Sequence, residues 1–381
     1  MEFKKIKLKF ADFIELKRGY DLPSNERNKG CIPIISSSGK SGNHNIAKVK
    51  GPGVITGRSG LIGAVHYESA DFWPLNTTLY VKDFKGNSPE YVYYFLKNMN
   101  LKNFSTGSSV PTLNRNHLNN IEISIHDTFK QLKQIKLLVD IDKKIDNNKQ
   151  IIENLEELSQ TLFKRWFVDF EFPDENGNPY KSSGGDMVES ELSKIPKSWK
   201  VDTLGNYIKI KSGKRPKCKV DNKDFENVVP VIGASKIMGY TNDYIYNEKI
   251  IIIGRVGTHG VIQRFSTRTW PSDNTFVITS DFESIIYQLL KSIDYISLNR
   301  GSTQPLLSQK DIKNTKVAMP TNETLLYKYQ NENDHILKMM DQKNIENQKL
   351  AQLRDTLLPK LMSGEIEIPD DIEVMEDELS I

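Results

Sequence analysis

Three glycines, an arginine and a serine open the stretch GRSGLIGAVHYESADFWP at residues 57–74, a composition typical of loops that bind phosphate. A P-loop needs a lysine after its last glycine, and a dinucleotide-binding loop needs the spacing G-x-G-x-x-G between a strand and a helix. The spacing here is G-R-x-G-x-x-G, and Ala64 and Val65 behind it indicate a strand. We therefore interpret the stretch as a structural turn rather than a nucleotide-binding loop.

The rest of the sequence supplies no recognisable catalytic set. The patterns G-x-S-x-G, H-E-x-x-H, the EF-hand loop and the amino-methyltransferase N-P-P-Y are absent, and Asp21, Glu26 and Lys40 do not form a nuclease constellation. The six histidines are scattered, and Cys31 and Cys218 lack the spacing of a zinc or disulfide pair. We therefore expect a binding protein with no catalytic residue, metal or cofactor of its own.

The composition indicates the cellular compartment and the charge of the binding partner. The chain begins with a polar segment, no apolar run approaches the ~18–20 residues of a membrane span, and the cysteines fit a reducing compartment, so we expect a cytoplasmic protein without membrane contact. Residues 365–381 carry eight acidic side chains and no basic one, so the rest of the chain is more basic than the net charge of +3 indicates. This pattern indicates a polyanionic partner, although a solvated lysine-rich surface has the same composition.

The glycine stretch occurs twice. GRSGLIGAVHYESADFWPLNTTLYV begins at Gly57, GRVGTHGVIQRFSTRTWPSDNTFVI begins at Gly254, and eight of the 25 aligned positions are identical. The match extends to IPIIS (32–36) and VPVIG (229–233), to TGSSVPTLNR (106–115) and RGSTQPLLSQ (300–309), and to LEELSQTLFKRWF (155–167) and LAQLRDTLLPKLM (350–362). The chain therefore contains two copies of one module, a β-rich domain followed by a helix.

The elements that position these residues can be predicted coarsely. Short apolar runs between Gly, Pro, Asn and Ser predict strands at 32–36, 54–56, 64–66 and 78–81. Residues 89–99 and 283–293 have helical periodicity. The polar stretches 36–45 and 233–243, which differ between the copies, are interpreted as flexible loops, and residues 174–199 as a linker or an extended crossover.

Two long helices follow the β-rich copies. Apolar residues at alternating spacings of three and four predict a helix of roughly 35–40 residues from about residue 129. A second helix is expected over about 323–362, ended or kinked by Pro359. We expect the helices to pair antiparallel, although each could pack on its own domain instead. The predicted helix contacts are Leu138, Ile145, Asn148 (which would fix the register), Ile152, Leu155, Leu162, Trp166, Ile336, Met340, Leu350, Leu357 and Leu361.

These features resemble the specificity subunit of type I restriction–modification systems over nearly the whole chain. The resemblance rests on GRSG…WPLNTT and GRVG…WPSDNT, on STGSSVPTLNRNHL and NRGSTQPLLSQKDI, on LFKRWFVDFEF, and on the junction GDMVESELSKIPKSWKVDTLGNYIKIKSGKRP. It implies an α+β fold with two repeated target-recognition domains and two long antiparallel spacer helices in pseudo-twofold arrangement. The expected boundaries are 1–126 and 199–320 for the recognition domains, 127–170 and 321–364 for the helices, 171–198 for the linker and 365–381 for the acidic tail.

The resemblance also implies a function. Each recognition domain would read half of a bipartite site in double-stranded DNA, and the helices would set the spacing and dock two methyltransferase subunits. S-adenosylmethionine, ATP and Mg²⁺ would belong to these partners and to the restriction/translocase subunits. The alternatives are a self-contained DNA-modifying enzyme and a scaffold that binds nucleic acid without sequence preference.

Loop position and side-chain chemistry identify candidate DNA contacts in both copies. Arg58 and Arg255 beside the glycine turns could contact DNA, or they could brace the loop beside Trp73 or Trp270. The full set of candidates is Lys40, His44, Arg58, Ser109, Asn114, Arg115, Lys214, Arg215, Lys236, Arg255, Thr303, Gln304 and Gln309.

Overall fold

The structure is a computed structural model and describes residues 5–106, 111–256, 260–298, 306–366 and 368. These residues divide into two compact units, the first drawn from Met1–Asn148 and Glu346–Ile381 and the second from Lys149–Ile345. Each long helix contributes residues to both units. The units group residues by packing, and the expected boundaries between recognition domains and helices stay a prediction.

The first unit contains the strands and helices of copy one. In chain order they are β1 (Ile6–Lys9), α1 (Phe10–Phe13), β2 (Glu15–Arg18), β3 (Ile32–Ser36), β4 (Gly39–His44), β5 (Gly53–Gly57), β6 (Val65–Glu68), β7 (Trp73–Pro74), β8 (Thr78–Asp83), α2 (Pro89–Asn98), β9 (Ser105–Thr106), β10 (Thr112–Leu113), α3 (Arg115–Asn119), β11 (Glu122–Ile125) and the start of α4 (Thr128–Phe163).

Two sheets form the body of this unit. An antiparallel sheet has the order β2-β8-β5-β6, and a second sheet has the order β4-β3-β7, in which β3 and β7 run parallel. Phe10, Phe13, Tyr91 and Leu96 are almost completely removed from solvent in the main core. Full burial of such an apolar side chain contributes roughly 1.5–3 kcal/mol relative to exposure, so this cluster is a main source of the unit's stability.

The second unit contains the strands and helices of copy two. They are β12 (Met187–Val188), β13 (Ile195–Pro196), β14 (Trp199–Thr203), β15 (Lys209–Ser212), β16 (Val229–Ile232), β17 (Ile237–Thr241), β18 (Ile250–Gly254), β19 (Ile262–Phe265), β20 (Trp270–Pro271), β21 (Thr275–Thr279), α5 (Glu283–Ser292), α6 (Gln309–Asn314), β22 (Lys316–Pro320) and the start of α7 (Glu323–Ser363).

The two copies have the same sheet topology. The second unit has a four-stranded sheet β15-β21-β18-β19 and a three-stranded sheet β17-β16-β20, each matching its counterpart strand for strand. A further antiparallel pair occurs in both, β1 with β11 and β14 with β22. The predicted duplication and the α+β class are therefore confirmed, as are the predicted strands, except that the strand expected at 64–66 lies at Val65–Glu68.

The helices α4 and α7 pair antiparallel. In the first unit Gln134 donates to the carbonyl of Leu361 at 2.7 Å, and Asp142 accepts from Arg354 at 2.6 Å, so residue numbers fall along α7 as they rise along α4. In the second unit Tyr329 of α7 packs edge-on against Phe163 near the end of α4. The predicted antiparallel pairing is thus confirmed within each unit.

The heptad prediction identifies most of the packed positions. Leu138, Asn148, Trp166 and Leu361 are almost fully buried, and Asn148 donates to Asn347 at 2.9 Å in the first unit. The other predicted positions are buried or half-buried, namely Ile145, Ile152, Leu155, Leu162, Ile336, Met340, Leu350 and Leu357. The prediction missed Leu337, Leu358 and Tyr329, which are also buried on α7.

Pro359 does not end α7, which continues to Ser363. Proline lacks the N–H that would bond to the carbonyl of residue 355, but Asp355 lies on an exposed part of the helix, where water can satisfy that carbonyl. Gly364 ends the helix instead, because its φ of +77° suits glycine and its N–H donates to the carbonyl of Leu361.

The segment between the copies is packed rather than flexible. Phe172 stacks on Tyr180 and on Trp199, with ring centroids 4.7 and 5.5 Å apart, and Phe170 and Ile195 are buried in the same core. Low apolar content predicted a linker or an extended crossover, and these few aromatic residues fix the segment on the second unit. No helix in the described ranges is long and apolar enough to cross a membrane.

Candidate nucleic-acid interface

A two-stranded hairpin in each copy carries several of the predicted contact residues. Residues 36–45 were expected to be a flexible loop, but Gly39–His44 is a strand that pairs antiparallel with β3, and Ile237–Thr241 pairs in the same way with β16. Backbone hydrogen bonds to a neighbouring strand hold such a segment more firmly than a loop is held. The prediction of two flexible loops was therefore wrong. Glycines within both segments, together with short polar residues in the first, are typical of loops and concealed the strands.

Each hairpin is tied to the neighbouring sheet by one side chain at the same position of the repeat. His66 on β6 lies 3.2 Å from the carbonyl of Ser37, and Gln263 on β19 donates to the carbonyl of Gly233 at 2.9 Å. Both bonds hold the turn of the hairpin. The two hairpins are therefore presented by the same scaffold although their exposed residues differ.

The glycine turn of the first copy packs against the hairpin turn. A Cβ atom on Gly57 would lie 2.0 Å from the carbonyl oxygen of Leu61, and one on Gly60 would lie 3.0 Å from Oγ of Ser37. Gly60 and Gly63 also have φ values of +78° and +76°, which favour glycine. These glycines are therefore required by close packing and backbone shape, which agrees with a structural turn.

The two predicted arginines differ in their surroundings. Arg58 is half-buried, and its guanidinium approaches the carbonyl of Asn76 at 3.5 Å. Arg255 is exposed, with its guanidinium 5.9 Å from the ring centre of Phe276. Arg58 thus contacts the backbone of the loop that follows Trp73, and the guanidinium of Arg255 is more accessible to solvent.

The segment that leads into the short helix is bound to this turn in both copies. Leu113 donates its N–H to the carbonyl of Arg58 at 2.8 Å, and Leu307 donates to that of Arg255 at 3.0 Å. These bonds bring the starts of α3 and α6 beside the arginines. The predicted residues of both regions therefore lie close together within each copy.

Three predicted contact residues already have structural partners. Asn114 caps α3 by accepting the N–H of Asn116, Arg115 donates to the carbonyl of Leu16 at 3.2 Å, and Gln309 donates to Ser212 at 3.1 Å. Asn114 is thus an N-cap, a role that the sequence pattern did not identify. Arg115 remains exposed and Gln309 is half-buried. They occupy corresponding positions, and each keeps part of its surface open to a ligand.

His44 is a correction to the predicted contacts. Its side chain is 3% exposed, its Nδ1 accepts the N–H of Asn28 at 3.1 Å, and its ring lies edge-on to Trp73 at 5.2 Å. A ring held this way faces the interior and cannot contact DNA without unpacking the hairpin. Its counterpart Thr241 is equally buried, which fits an inward position in both copies.

The remaining predicted cations are exposed. Lys40 and Lys236 lie on the hairpins, and Lys214 and Arg215 lie on the loop after β15. Trp270 fixes this loop, because its Nε1 donates to the carbonyl of Lys214 at 2.7 Å. Ser109, Thr303 and Gln304 lie outside the described residues.

Two cations that lie over aromatic rings were missed by sequence reasoning. Lys48 lies 5.0 Å from the ring centre of Trp73, and Arg268 lies 4.9 Å from that of Tyr244. Both are exposed and add positive charge to their copies. Each is distant in sequence from its aromatic partner, so only the folded chain reveals the pair.

In the described ranges no group of three His, Cys, Asp or Glu side chains could hold a metal ion.

Known proteins share this architecture. The family model described as "Type I restriction modification DNA specificity domain" matches residues 2–157 and 196–355. The chain is 30% identical over 319 residues to the type I restriction enzyme MjaIX specificity subunit of Methanocaldococcus jannaschii, covering 74% of this chain and 70% of that protein. It is 22% identical over 341 residues to the HindI specificity subunit of Haemophilus influenzae, covering 69% and 72%.

A solved structure supports the fold. The S subunit of a type I restriction–modification system from M. genitalium superposes with a TM-score of 0.59 at 19% identity, covering 95% of this chain and 96% of that one. The family model matches each of the two copies and together these matches span most of the chain. The protein therefore belongs to the type I restriction–modification DNA specificity family.

Proposed function

We propose that this chain selects the DNA sequence for a type I restriction–modification complex by reading one half of a bipartite site with each copy of its recognition domain. The observation that carries the proposal is that the same scaffold occurs twice with different exposed residues on the hairpins. Two equal scaffolds with unequal surfaces suit a site whose halves differ in sequence. The chain would supply recognition, and chemistry would reside elsewhere in the complex.

The exposed cations divide by position. Lys214 and Arg215 lie on a loop, where flexible cations suit phosphate contacts that add affinity without sequence preference. Lys40 lies on the outer strand of a hairpin, and a two-stranded ribbon fits the major groove of B-DNA, where bases can be distinguished. We therefore assign phosphate contacts to the loop and base contacts to the hairpins, with Arg58, Arg255, Lys236, Arg115 and Gln309 flanking them.

The paired helices α4 and α7 would hold the halves of the site at a set separation and present surfaces for two methyltransferase subunits. Exposed apolar side chains on these helices, such as Leu137, Leu158 and Leu353, are candidates for such contacts. S-adenosylmethionine, ATP and Mg²⁺ would be bound by the methyltransferase and restriction/translocase subunits. Methylation, translocation and cleavage would depend on those chains.

The test is selection from random duplex DNA by the complex of this chain with its methyltransferase, followed by sequencing. We expect a motif of two separated segments. Lys40→Ala should relax base preference in one segment only, since its hairpin belongs to one copy. The control variants Lys214→Ala and Arg215→Ala should weaken binding to all sequences alike. Each lost phosphate contact should also reduce the slope of log affinity against log salt concentration by about one. Recovery of a single undivided motif, or of none, would contradict the proposal.

A further inference from the structure

The outer strands of the two hairpins differ in chemistry at matching positions. In copy one Ile35 pairs with Lys40, and in copy two the corresponding Ile232 pairs with Ile237. The next residue is Ser41 in copy one and Met238 in copy two, followed in each case by a glycine with a φ of +138° or +146°. A lysine and a serine in the first hairpin are thus replaced by two apolar side chains in the second.

These apolar side chains face solvent. Ile237 is 42% exposed and Met238 is 40% exposed. Isolated exposed apolar residues are ordinary on a surface, but here two are adjacent, and they occupy the positions that in the other copy are exposed and polar. The turn that presents them is held by Gln263 and by the N–H of Gly233, which donates to the carbonyl of Lys236 at 2.8 Å. The side chain of Met238 packs over Gly233, where an added Cβ atom would lie only 2.6 Å from it.

The charges around the second hairpin favour a polyanion as the partner. Lys219 donates to the carbonyl of Met238 at 2.8 Å, so its ammonium group lies beside the apolar pair. The same ammonium group also pairs with the exposed Asp221 at 3.2 Å, which offsets part of its charge. Lys236 precedes Ile237 and is exposed. Two cations that flank an apolar strip match the major groove of DNA, where phosphates border base edges and the thymine C5-methyl group is the apolar feature.

We propose that the second hairpin recognises thymine by burying its C5-methyl groups against Ile237 and Met238 in the major groove. The inference rests on the proposed function and extends it to the class of base that one half-site contains. The first hairpin has Lys40 at the matching position. Its ammonium group would instead donate hydrogen bonds to acceptors on base edges, such as O6 and N7 of guanine.

The test replaces thymine by deoxyuridine, which removes the methyl group and keeps base pairing. Binding of the chain–methyltransferase complex is measured by competition with duplexes that carry deoxyuridine in one half-site at a time. We expect the affinity to fall about four-fold for each methyl group buried on the second hairpin, since a buried methylene contributes about 0.8 kcal/mol. The Ile237→Ser and Met238→Ser variants should lose this sensitivity and keep the response to changes in the other half-site.

Leu192→Ser is the matched control, because Leu192 is 47% exposed in the same unit but lies outside the hairpins. It should bind natural and deoxyuridine duplexes like the parent chain. The thermal midpoint of each variant checks folding, and Ile237→Thr, which keeps a β-branched residue in the strand, should show a partial loss if Ile237→Ser proves unstable.

Two failures can be distinguished. If the complex binds one sequence strongly but deoxyuridine in either half has the same small effect in the parent and in Ile237→Ser, the thymine inference is wrong and the proposed function stands. A half-site without thymine in the segment altered by Ile237→Ser would also overturn the inference. If no sequence preference exists, the proposed function itself fails. Loss of methyltransferase binding in Ile237→Ser with unchanged DNA affinity would reassign the strip to a protein contact.

Discussion

Lys40 and His44 lie on the same strand, yet only Lys40 is available to a ligand. Simple alternation along β4 would place both side chains on one face, but the pairing with β3 shifts register between Pro33 and Ile35. The shift leaves Lys40 exposed and His44 packed on Trp73. Sequence reasoning selected this segment as a candidate, whereas the face of each side chain depended on a bulge that residue types do not specify.

Helix capping accounts for another difference between the predicted and the observed roles of single residues. Asn114 and Ser308 occupy the same position in the two copies, and each accepts an N–H from the first turn of the helix that follows. Polar residues before a helix suit DNA contacts and helix caps equally well by composition. Only the geometry shows that these two side chains are caps, which leaves the exposed Arg115 and the half-buried Gln309 as the candidates for a ligand contact.

The buried histidine of the first unit predicts a pH dependence of stability. His126 packs beside Tyr91, whose hydroxyl accepts the N–H of residue 126 and lies 3.0 Å from Nδ1 of the ring. Burial, and then the nearby ammonium group of Lys5, lower the pKa of His126 to about 4. The folded protein therefore keeps this ring neutral at a pH where the unfolded chain, with a pKa near 6.5, binds a proton.

The direction of this pH effect follows from which state binds the proton. Above about pH 6.5 His126 is neutral in both states and does not change the free energy of unfolding. Between about pH 6.5 and pH 4 the unfolded state holds the extra proton, so this free energy falls as pH falls, by at most about 1.4 kcal/mol per pH unit. Thermal midpoints at pH 7.5 and 5.0 should therefore differ less in His126→Gln than in the parent. An equal drop in both proteins would contradict this assignment.

At the scale of elements, periodicity predicted the long helices well. The length of α4 follows from apolar residues at uninterrupted three–four spacing, and both α4 and α7 begin and end within a few residues of the expected positions. The pairing of specific residues could not be predicted, because the middle of the second helix is polar. There a salt bridge between Asp142 and Arg354 and an amide pair replace apolar contacts.

The amide pair predicts a coupled effect on stability. Asn148 is fully buried and donates to Asn347, while its own Oδ1 accepts no hydrogen bond from the part of the chain that the structure describes. Asn148→Ala should lower the free energy of unfolding by ~1–2 kcal/mol, because the amide of Asn347 loses its partner. The Asn148→Ala/Asn347→Ala double variant should lose less than the sum of the two single variants.

Urea unfolding of the four proteins measures this coupling. Gln348→Ala on the exposed side of α7 is the control and should change stability by no more than about 0.5 kcal/mol. Strict additivity of the two asparagine variants would show that the pair makes no energetic contribution. Replacing both asparagines by leucine should raise stability and weaken the preference for one helix register.

For the whole molecule, the duplication was the most informative feature of the sequence. Matching glycines and tryptophans 197 positions apart predicted two equal scaffolds, and the sheets agree strand for strand. The packing of the segment between the copies could not be predicted, since it depends on four aromatic residues that meet only in the fold. The DNA bases that the protein contacts could not be predicted from the sequence either, because they depend on which exposed side chains enter a groove.

The central claim is that this chain determines which DNA sequence the complex modifies. Its most direct test is genome-wide mapping of methyladenine in cells with and without the chain, with the methyltransferase subunit present in both. We predict that one split motif is methylated only when the chain is present, and that Ile237→Ser alters one half of that motif. An unchanged methylation pattern in an otherwise active system would contradict the claim.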